Sequence, residues 1–316
     1  MITYTVRRLA QGLAVVMVAS LITFFEAHLL PGNPARAILG VHASPAQLHA
    51  FDIENGYNQP LPVQYFDYLN HLVHGNLGFS YQLNQSVVAV LQERLPATII
   101  LVGLSVVVAL LIMVPISIVQ AARRNKPVDY LLTGASFVLY AMPEFWLGLM
   151  LILLFAEKVR LFPPTAPQGN VAQILAHPMG LVLPVATLAL GSVAAFTRYL
   201  RSSLLDNLTE DYVRTAKAKG ASERRVMLGH VLRNALLPVI TLVGLSLPGI
   251  LSGALITESV FNYPGMGLLF WQSALSQDYP VLLAVTLVVA LATIAGNLIA
   301  DLLYAVADPR VRYVRA

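Results

Sequence analysis

Few residues in this chain have the type and spacing that chemistry requires. There is no cysteine, which removes disulfides, thiolate nucleophiles and cysteine-based metal sites. The seven histidines do not fall into metal-ligand spacing with the acids. The intramembrane hydrolase patterns His-Glu-x-x-His, Gly-x-Ser-x-Gly and paired aspartates are absent. So are the phosphate loop Gly-x-x-x-x-Gly-Lys-Ser/Thr and a Gly-x-Gly-x-x-Gly turn after a strand, so this sequence offers no nucleotide chemistry of its own. What stands out is one polar run, Asp211-Tyr212-Val213-Arg214-Thr215-Ala216-Lys217-Ala218-Lys219-Gly220, followed by a basic stretch that ends in His230, Asn234 and Pro238. Its first part is rich in helix formers and Asp211 suits a helix start. Gly220 suits a C-cap or sharp turn, and Ser222 can cap a second helix with Arg225 three positions on. The pattern predicts helix, glycine turn, helix.

The elements that carry this run are apolar. Of 316 residues, 57% are hydrophobic and 11% charged, with a mean hydropathy of +0.70. Soluble domains carry about 25% charge because they face water. About 20 apolar residues cross a bilayer core as a helix, and six stretches reach that length: Leu9 to Leu30, Ala97 to Val119, Tyr130 to Phe155, Leu181 to Leu200, Ala235 to Thr257 and Val281 to Leu303. The runs are continuous rather than alternating, against a β-barrel. Arg7 and Arg8 precede the first as in a signal peptide, but the run is too long for one and lacks a small-x-small closure, so a retained helix is expected.

Basic residues collect on the cytoplasmic side of membrane spans. Arg7, Arg8, Arg123, Arg124, Lys126, Arg198, Arg201, Arg214, Lys217, Lys219, Arg224, Arg225, Arg233, Arg310, Arg312 and Arg315 fall on one side, sixteen of twenty. Both termini are therefore expected in the cytoplasm. The net charge of +4 follows from this bias and implies no nucleic-acid partner. The expected fold is all-α: a polytopic membrane protein of six transmembrane helices forming a single domain over 1–316. It has an external loop at about 31–96 and a cytoplasmic region at about 201–238.

Several polar or helix-breaking residues lie in or near the spans. Glu26, His28 and Glu258 suit an outer interface, and Asp301 suits a pairing with basic groups near the tail. Glu144, just after Pro143, is the main candidate to face a pathway; structural pairing inside the bundle is the alternative. Pro248 and Gly249 join Pro143 as candidate gate positions, because intramembrane prolines kink helices and small residues permit close approach. Ordinary static packing explains them equally. In the external connections, Gly75-Asn76-Leu77-Gly78, Pro264-Gly265-Met266-Gly267 and Asp278-Tyr279-Pro280 are turn-forming runs, and Val63 to Leu69 reads as a short amphipathic helix. On residues alone, the 211–220 helix fits a partner groove, an anionic lipid surface or a plain connector.

The polar run resembles the EAA motif of binding-protein-dependent ABC transporter permeases, in the form found in the dipeptide, oligopeptide and nickel transport family. Asp211, Tyr212, Ala216, Ala218, Lys219, Gly220, His230, Asn234, Ala235 and Pro238 match that form, and Arg214, Thr215, Lys217 and Arg233 are usual for it. The resemblance extends through Arg7-Arg8-Leu9, Pro31-Gly32-Asn33-Pro34, Gly75-Asn76-Leu77-Gly78-x-Ser80, Glu258, Phe261, Pro264 to Gly267, Asp278-Tyr279-Pro280, Asp301, Tyr304 and Asp308-Pro309-Arg310. Asn33 and Asn76 stand where the family usually has Asp, and Gln277 where Arg is common. The resemblance implies the transmembrane domain of a type I ABC importer, the first permease subunit of its system. It implies cytoplasmic coupling helices at 211–238 docked on ATPase subunits, and outer turns at Gly75, Asn76, Gly78, Pro264 to Gly267, Asp278 and Tyr279 that meet a partner. The implied partners are a second, homologous permease, two ABC ATPase subunits or domains that bind ATP and magnesium, an extracytoplasmic substrate-binding protein, and the lipid of a bacterial or archaeal inner membrane. No cofactor or metal is implied on this chain, and it is no enzyme by itself. Peptides are the implied cargo, with nickel chelates, glutathione and sugars carried by relatives. The other classes weighed are a secondary transporter or channel, which has no use for a glycine-turned docking helix, a membrane scaffold, and an intramembrane enzyme.

Overall fold

The computed structural model describes residues 12–22, 24–25, 34–39 and 42–307, without the side chains of 34, 37, 38, 241, 245, 247–253 and 297–307. Arg7, Arg8, Glu26, His28, Pro31 to Asn33 and Asp308 to Arg310 therefore lie outside the described residues, as do the side chains of Pro248, Gly249, Asp301 and Tyr304. The fold is predominantly helical. Val87–Ala122, Pro178–Asn207, Glu223–Gly244 and Tyr279–Gly296 are long and apolar enough to cross a membrane, and Gly12–Ile22 is a shorter apolar helix. The expected third span is not one rod. Pro127–Ala141 and Glu144–Lys158 meet at a bend of 107°, where Met142 and Pro143 both adopt extended backbone. A proline in a continuous helix kinks it; two successive extended residues end one helix and start another.

The chain divides into two compact units, 1–98 with 264–294 and 99–263 with 295–316. In the first, α1 (Gly12–Ile22), α2 (Pro34–Leu39), α3 (Pro45–Glu54) and α4 (Leu61–Val73) are followed by a two-residue hairpin, β1 (Phe79–Ser80) and β2 (Gln85–Ser86), and the start of α5 (Val87–Ala122). α3 is fixed by a capping box: Gln47 N–H donates to Ser44 Oγ while Ser44 N–H donates to Gln47 Oε1. α4 is the amphipathic helix expected at Val63 to Leu69, and it covers the chain beyond α1. Tyr65 and Tyr68 pack their rings on Phe24 at 5.3 and 6.2 Å, and Tyr65 Oη meets Ser20 Oγ at 2.9 Å. The second helix starts at Val87 rather than Ala97 and runs through Pro96, so the first connection is shorter than expected. Its first turns pack Val87, Val90 and Leu91 against Met266 and Leu269 of α13 (Met266–Ser276) and Val281, Ala284 and Val285 of α14 (Tyr279–Ala307).

The second unit holds α6 (Pro127–Ala141), α7 (Glu144–Leu151) continued by a π-helical segment Ile152–Lys158, α8 (Val171–Ala176), α9 (Val182–Asn207), α10 (Asp211–Ala218), α11 (Glu223–Val226), a second π segment Met227–Val231, and α12 (Leu232–Val260). α9 is the hub: α6, α7 and α12 all pack against it. The core joins Met113 of α5, Phe196, Leu200 and Leu204 of α9, and Val239 of α12 to Val213 of α10, Val226 of α11 and Val231. The polar run is thus anchored into the bundle by single valines.

Candidate functional site

The 4–5 connection adopts the expected helix, glycine turn, helix. Glu210, extended, precedes α10 and Asp211 occupies its first turn, where a carboxylate favours the positive end of the helix dipole. α10 ends in a Schellman motif. Gly220 N–H donates to Lys217 O at 2.9 Å, Ala221 N–H to Ala216 O at 3.1 Å, and Gly220 sits at φ +81°. That left-handed geometry is what glycine supplies at least cost. Ser222 Oγ then accepts from Arg225 N–H, the predicted second cap.

α10 has two faces. Val213 is buried, and Tyr212 and Ala216 pack against the same core; Tyr212 Oη also donates to Asn207 Oδ1 at 2.8 Å. Asp211, Arg214, Thr215, Lys217, Ala218, Lys219 and Gly220 are exposed. Ala216, half-buried, turns toward the core with Tyr212 and Val213, because a face recurring at 212, 213 and 216 is what an amphipathic helix buries. His230 belongs to the same region. It is exposed on the π segment, with Asn234 and Pro238 exposed beyond it, so these three extend the open surface of α10 and α11.

The foot of the bundle holds a polar constellation that sequence reading missed. Asp129, 2% exposed in the first turn of α6, receives Arg201 Nε at 2.9 Å and Arg201 Nη2 at 2.7 Å. Asn125 N–H and Thr133 Oγ1 also donate to it, and Gln120 of α5 donates to Thr133. An acid and an arginine at the ends of two apolar stretches were the signal, since ionisable groups there are rarely unpaired. Ser203 Oγ donates to Ala235 O at 3.0 Å, tying α9 to the start of α12. The segment that leads into α10 is thus held from both sides.

The candidate gate residues separate. Pro143 is exposed at the α6–α7 break and Glu144, half-buried, accepts from Thr257 Oγ1 of α12 at 3.4 Å. α7 comes close to its neighbours at Gly148, where a Cβ would lie 3.3 Å from Phe261 and 3.5 Å from Thr187. Pro248 and Gly249 fall within α12.

The turn residues of the first unit also divide. Gly75, Asn76 and Gly78 are exposed, and Asn76 Oδ1 accepts from Gly78 N–H at 2.9 Å, an Asx-type turn. Pro264, Gly265, Met266 and Gly267 are buried, with Met266 N–H donating to Thr98 Oγ1 at 2.8 Å. They cap and seat α13 rather than offering a surface, a correction that follows from Met266 packing on Val87 and Leu91. Asp278 and Tyr279 are buried too. Ser80 Oγ donates to Asp278 Oδ2 at 2.5 Å, joining the hairpin to the start of α14 across 198 residues. Burial holds the Asp278 carboxyl above the ordinary carboxylate range, opposed by the Ser80 hydroxyl and Val281 N–H. Beside this contact lies a cavity of about 680 Å³ lined by Tyr57, Tyr68, Tyr81 and Tyr279, with Glu54 and Asp67 also in its lining. Burial, and then Tyr65, push the Tyr68 phenol up to about 12. Among the described residues, no three His, Asp or Glu side chains converge as a metal site would require.

Comparison with known proteins accounts for nearly the whole chain. Residues 113–313 match the family described as binding-protein-dependent transport system inner membrane component, and residues 1–102 match the amino-terminal family of the same membrane components. The chain is 38% identical over 319 residues to the oligopeptide transport system permease protein AppB of Bacillus subtilis, covering 99% of this chain and 100% of that one. It is 36% identical over 333 residues to the dipeptide transport system permease protein DppB of Alkalihalophilus pseudofirmus, covering 99% and 100%. The helical membrane fold, the exposed helix–turn–helix between α9 and α12 and these full-length likenesses agree: the chain belongs to the family of inner-membrane components of binding-protein-dependent transport systems.

Proposed function

We propose that this chain is one of two permease subunits of an ATP-driven importer of short peptides, and that α10 and α11 couple it to ATPase subunits. The observation that carries the coupling reading is the two-faced α10: Val213 fixes it in the core while Asp211, Thr215, Lys217, Ala218 and Lys219 stay exposed. An exposed face rich in small and basic side chains suits a groove on a protein, and the rigid anchor lets a push on α10 reach α9 and α12. Both termini and α10 face the cytoplasm in this reading, supported by the sixteen basic residues on that side. ATP and magnesium belong to two ATPase subunits or domains, and closure of those subunits shifts the bundle between inward-open and outward-open states. A substrate-binding protein delivers cargo on the opposite side, where Gly75, Asn76 and Gly78 are exposed. Peptide cargo is supported by the oligopeptide and dipeptide systems of the relatives above. The membrane is the inner membrane of a bacterium or archaeon, and the whole of 1–316 acts as one permease domain beside a homologous partner.

The chain has no native cysteine, so a single introduced cysteine is the one thiol of this subunit. In the purified complex, Ala218→Cys is expected to crosslink to an ATPase subunit and Ala216→Cys is not, because only position 218 is exposed. Crosslinking of Ala218→Cys to lipid alone would sink the coupling reading. Reconstituted with its binding protein, the complex is expected to take up di- and oligopeptides in an ATP-dependent manner; uptake of nickel chelates alone would overturn the peptide reading.

A further inference from the structure

The cavity of the first unit takes no part in the coupling of α10 and α11, and its lining has a definite chemistry. Its volume of about 680 Å³ is that of a small-ligand pocket. Phe24, Tyr57, Tyr68, Phe79, Tyr81 and Tyr279 give it phenyl and phenol rings. Its ionisable groups besides the phenols are Glu54, Asp67 and His71, and among the described residues no lysine or arginine lines it. Glu54 and Asp67 are exposed and make no hydrogen bond or ion pair among the described residues. The phenol oxygens of Tyr57, Tyr68, Tyr81 and Tyr279 are likewise without a hydrogen bond there.

Aromatic faces and carboxylates both attract a cation, and a carboxylate or phosphate ligand would meet Glu54 and Asp67 as like charges. Burial raises the Tyr57 phenol and pushes the Tyr68 phenol up to about 12. Both therefore stay neutral near pH 7 and offer a ring face and an oxygen lone pair. An ammonium is the complementary group, with three N–H donors and no acceptor. The lining is also held in place without a ligand. Gln64 Nε2 donates to Tyr57 O at 3.0 Å and to Gln59 O at 2.8 Å, tying α4 to the turn after α3. The Tyr81 ring meets Phe79 at 5.2 Å and Phe51 at 5.7 Å. A Cβ on Gly78 would lie 3.3 Å from Pro280, so the hairpin sits close on the start of α14. A site ordered in advance loses less entropy when it binds.

We propose that this cavity is a binding site for the primary ammonium group of a small ligand. The rings of Tyr57, Tyr68 and Tyr81 face the cation, the phenol oxygens accept its N–H groups, and Glu54 and Asp67 supply the opposite charge. A peptide amino terminus and an aminophospholipid headgroup both carry this group. Ammonium binding here does not depend on peptide import, and failure of the uptake assay above leaves it standing.

The test uses the complete complex in nanodiscs of phosphatidylglycerol and benzoylphenylalanine amide, a photoreactive probe with a free ammonium and no carboxylate. After illumination, mass spectrometry is expected to place adducts on this chain within 53–81 and 279–283. The N-acetylated probe, which has no charge, is expected to label about 10-fold less. The double change Glu54→Gln with Asp67→Asn is expected to lower labelling by the free probe about 5-fold. Both positions are exposed, so this variant keeps the fold. Tyr81→Leu is expected to fall between it and the unmodified chain. Equal labelling by the acetylated probe, unchanged labelling in the double variant, or adducts elsewhere on the chain overturns the site. Repetition in phosphatidylethanolamine nanodiscs separates the two sources. Suppressed labelling there supports the site with the lipid headgroup as its occupant, and undiminished labelling supports it with a soluble amine.

Discussion

Two aspartate–arginine pairs stand on either side of Asn207, and their surroundings make them different objects. Asp129 and Arg201 meet through two hydrogen bonds, with the carboxylate 2% exposed and the partners 72 residues apart. Asp211 and Arg214 meet once, at 3.4 Å, three residues apart on a helix surface, with side chains 95% and 78% exposed. The first pair fixes helices in place, because a buried charge released from its partner is left without solvation. The second is screened by water and holds nothing. The foot of the bundle is therefore built to be rigid and the face of α10 to be available, as expected of a helix that receives a push and the bundle that must feel it.

This contrast can be broken or sharpened by measurement. The largest effect is expected for Asp129→Ala, about 3 kcal/mol of destabilisation, read as a drop in the unfolding midpoint in nanodiscs. The double change Asp129→Leu with Arg201→Met is expected to cost less than the single one, since it leaves no orphan charge. Next comes Val213→Ala, which removes part of the buried anchor of α10. It is expected to cost about 1 kcal/mol and to raise amide exchange in 211–220 ahead of the rest of the bundle. Gly220→Ala forces a Cβ into the left-handed turn at φ +81°, and about 1 kcal/mol is expected from that strain. Since no atom lies within 4 Å of such a Cβ, the loss should be confined to the turn and visible in coupling of ATP hydrolysis to transport.

A smaller effect belongs to the first unit. Burial raises the Asp278 pKa in the folded chain, so the stability it contributes is complete below the usual value of 3.8 and is lost as pH climbs through the raised folded value. The wild-type unfolding midpoint is expected to decline over that window more than that of Asp278→Asn. Equal pH profiles would remove Asp278 from the account. Last, Asp211→Ala is expected to leave the midpoint unchanged. A loss matching that of Asp129→Ala would erase the distinction between the two pairs.

Much of the local architecture was legible in advance because its causes are local. The caps at Ser222 and Gly220, the start of α10 near Asp211 and the amphipathic α4 each follow from residues within one helical turn of each other. Membrane crossing followed from apolar runs of sufficient length. Legibility ended where partners are distant. Nothing in the spacing of Asp129 and Arg201 marks them as a pair, and Ser80 and Asp278 are joined across 198 residues. Burial of Pro264 to Gly267 reversed their expected exposure, since a turn-forming run reads the same whether it faces solvent or a neighbouring helix. The 107° break after Ala141 likewise exceeds what Pro143 alone implies.

The sequence by itself determined that this is a polytopic helical membrane protein of the permease family, because hydrophobic length, basic-residue placement and the 211–238 motif are each written in consecutive residues. Only the tertiary structure decided which of those residues are free to act. It turned Tyr212, Val213 and Ala216 inward, left Thr215, Ala218 and Lys219 outward, and gave Asp129 to Arg201. Availability is a property of what packs against a side chain, and in this bundle those neighbours come from other helices.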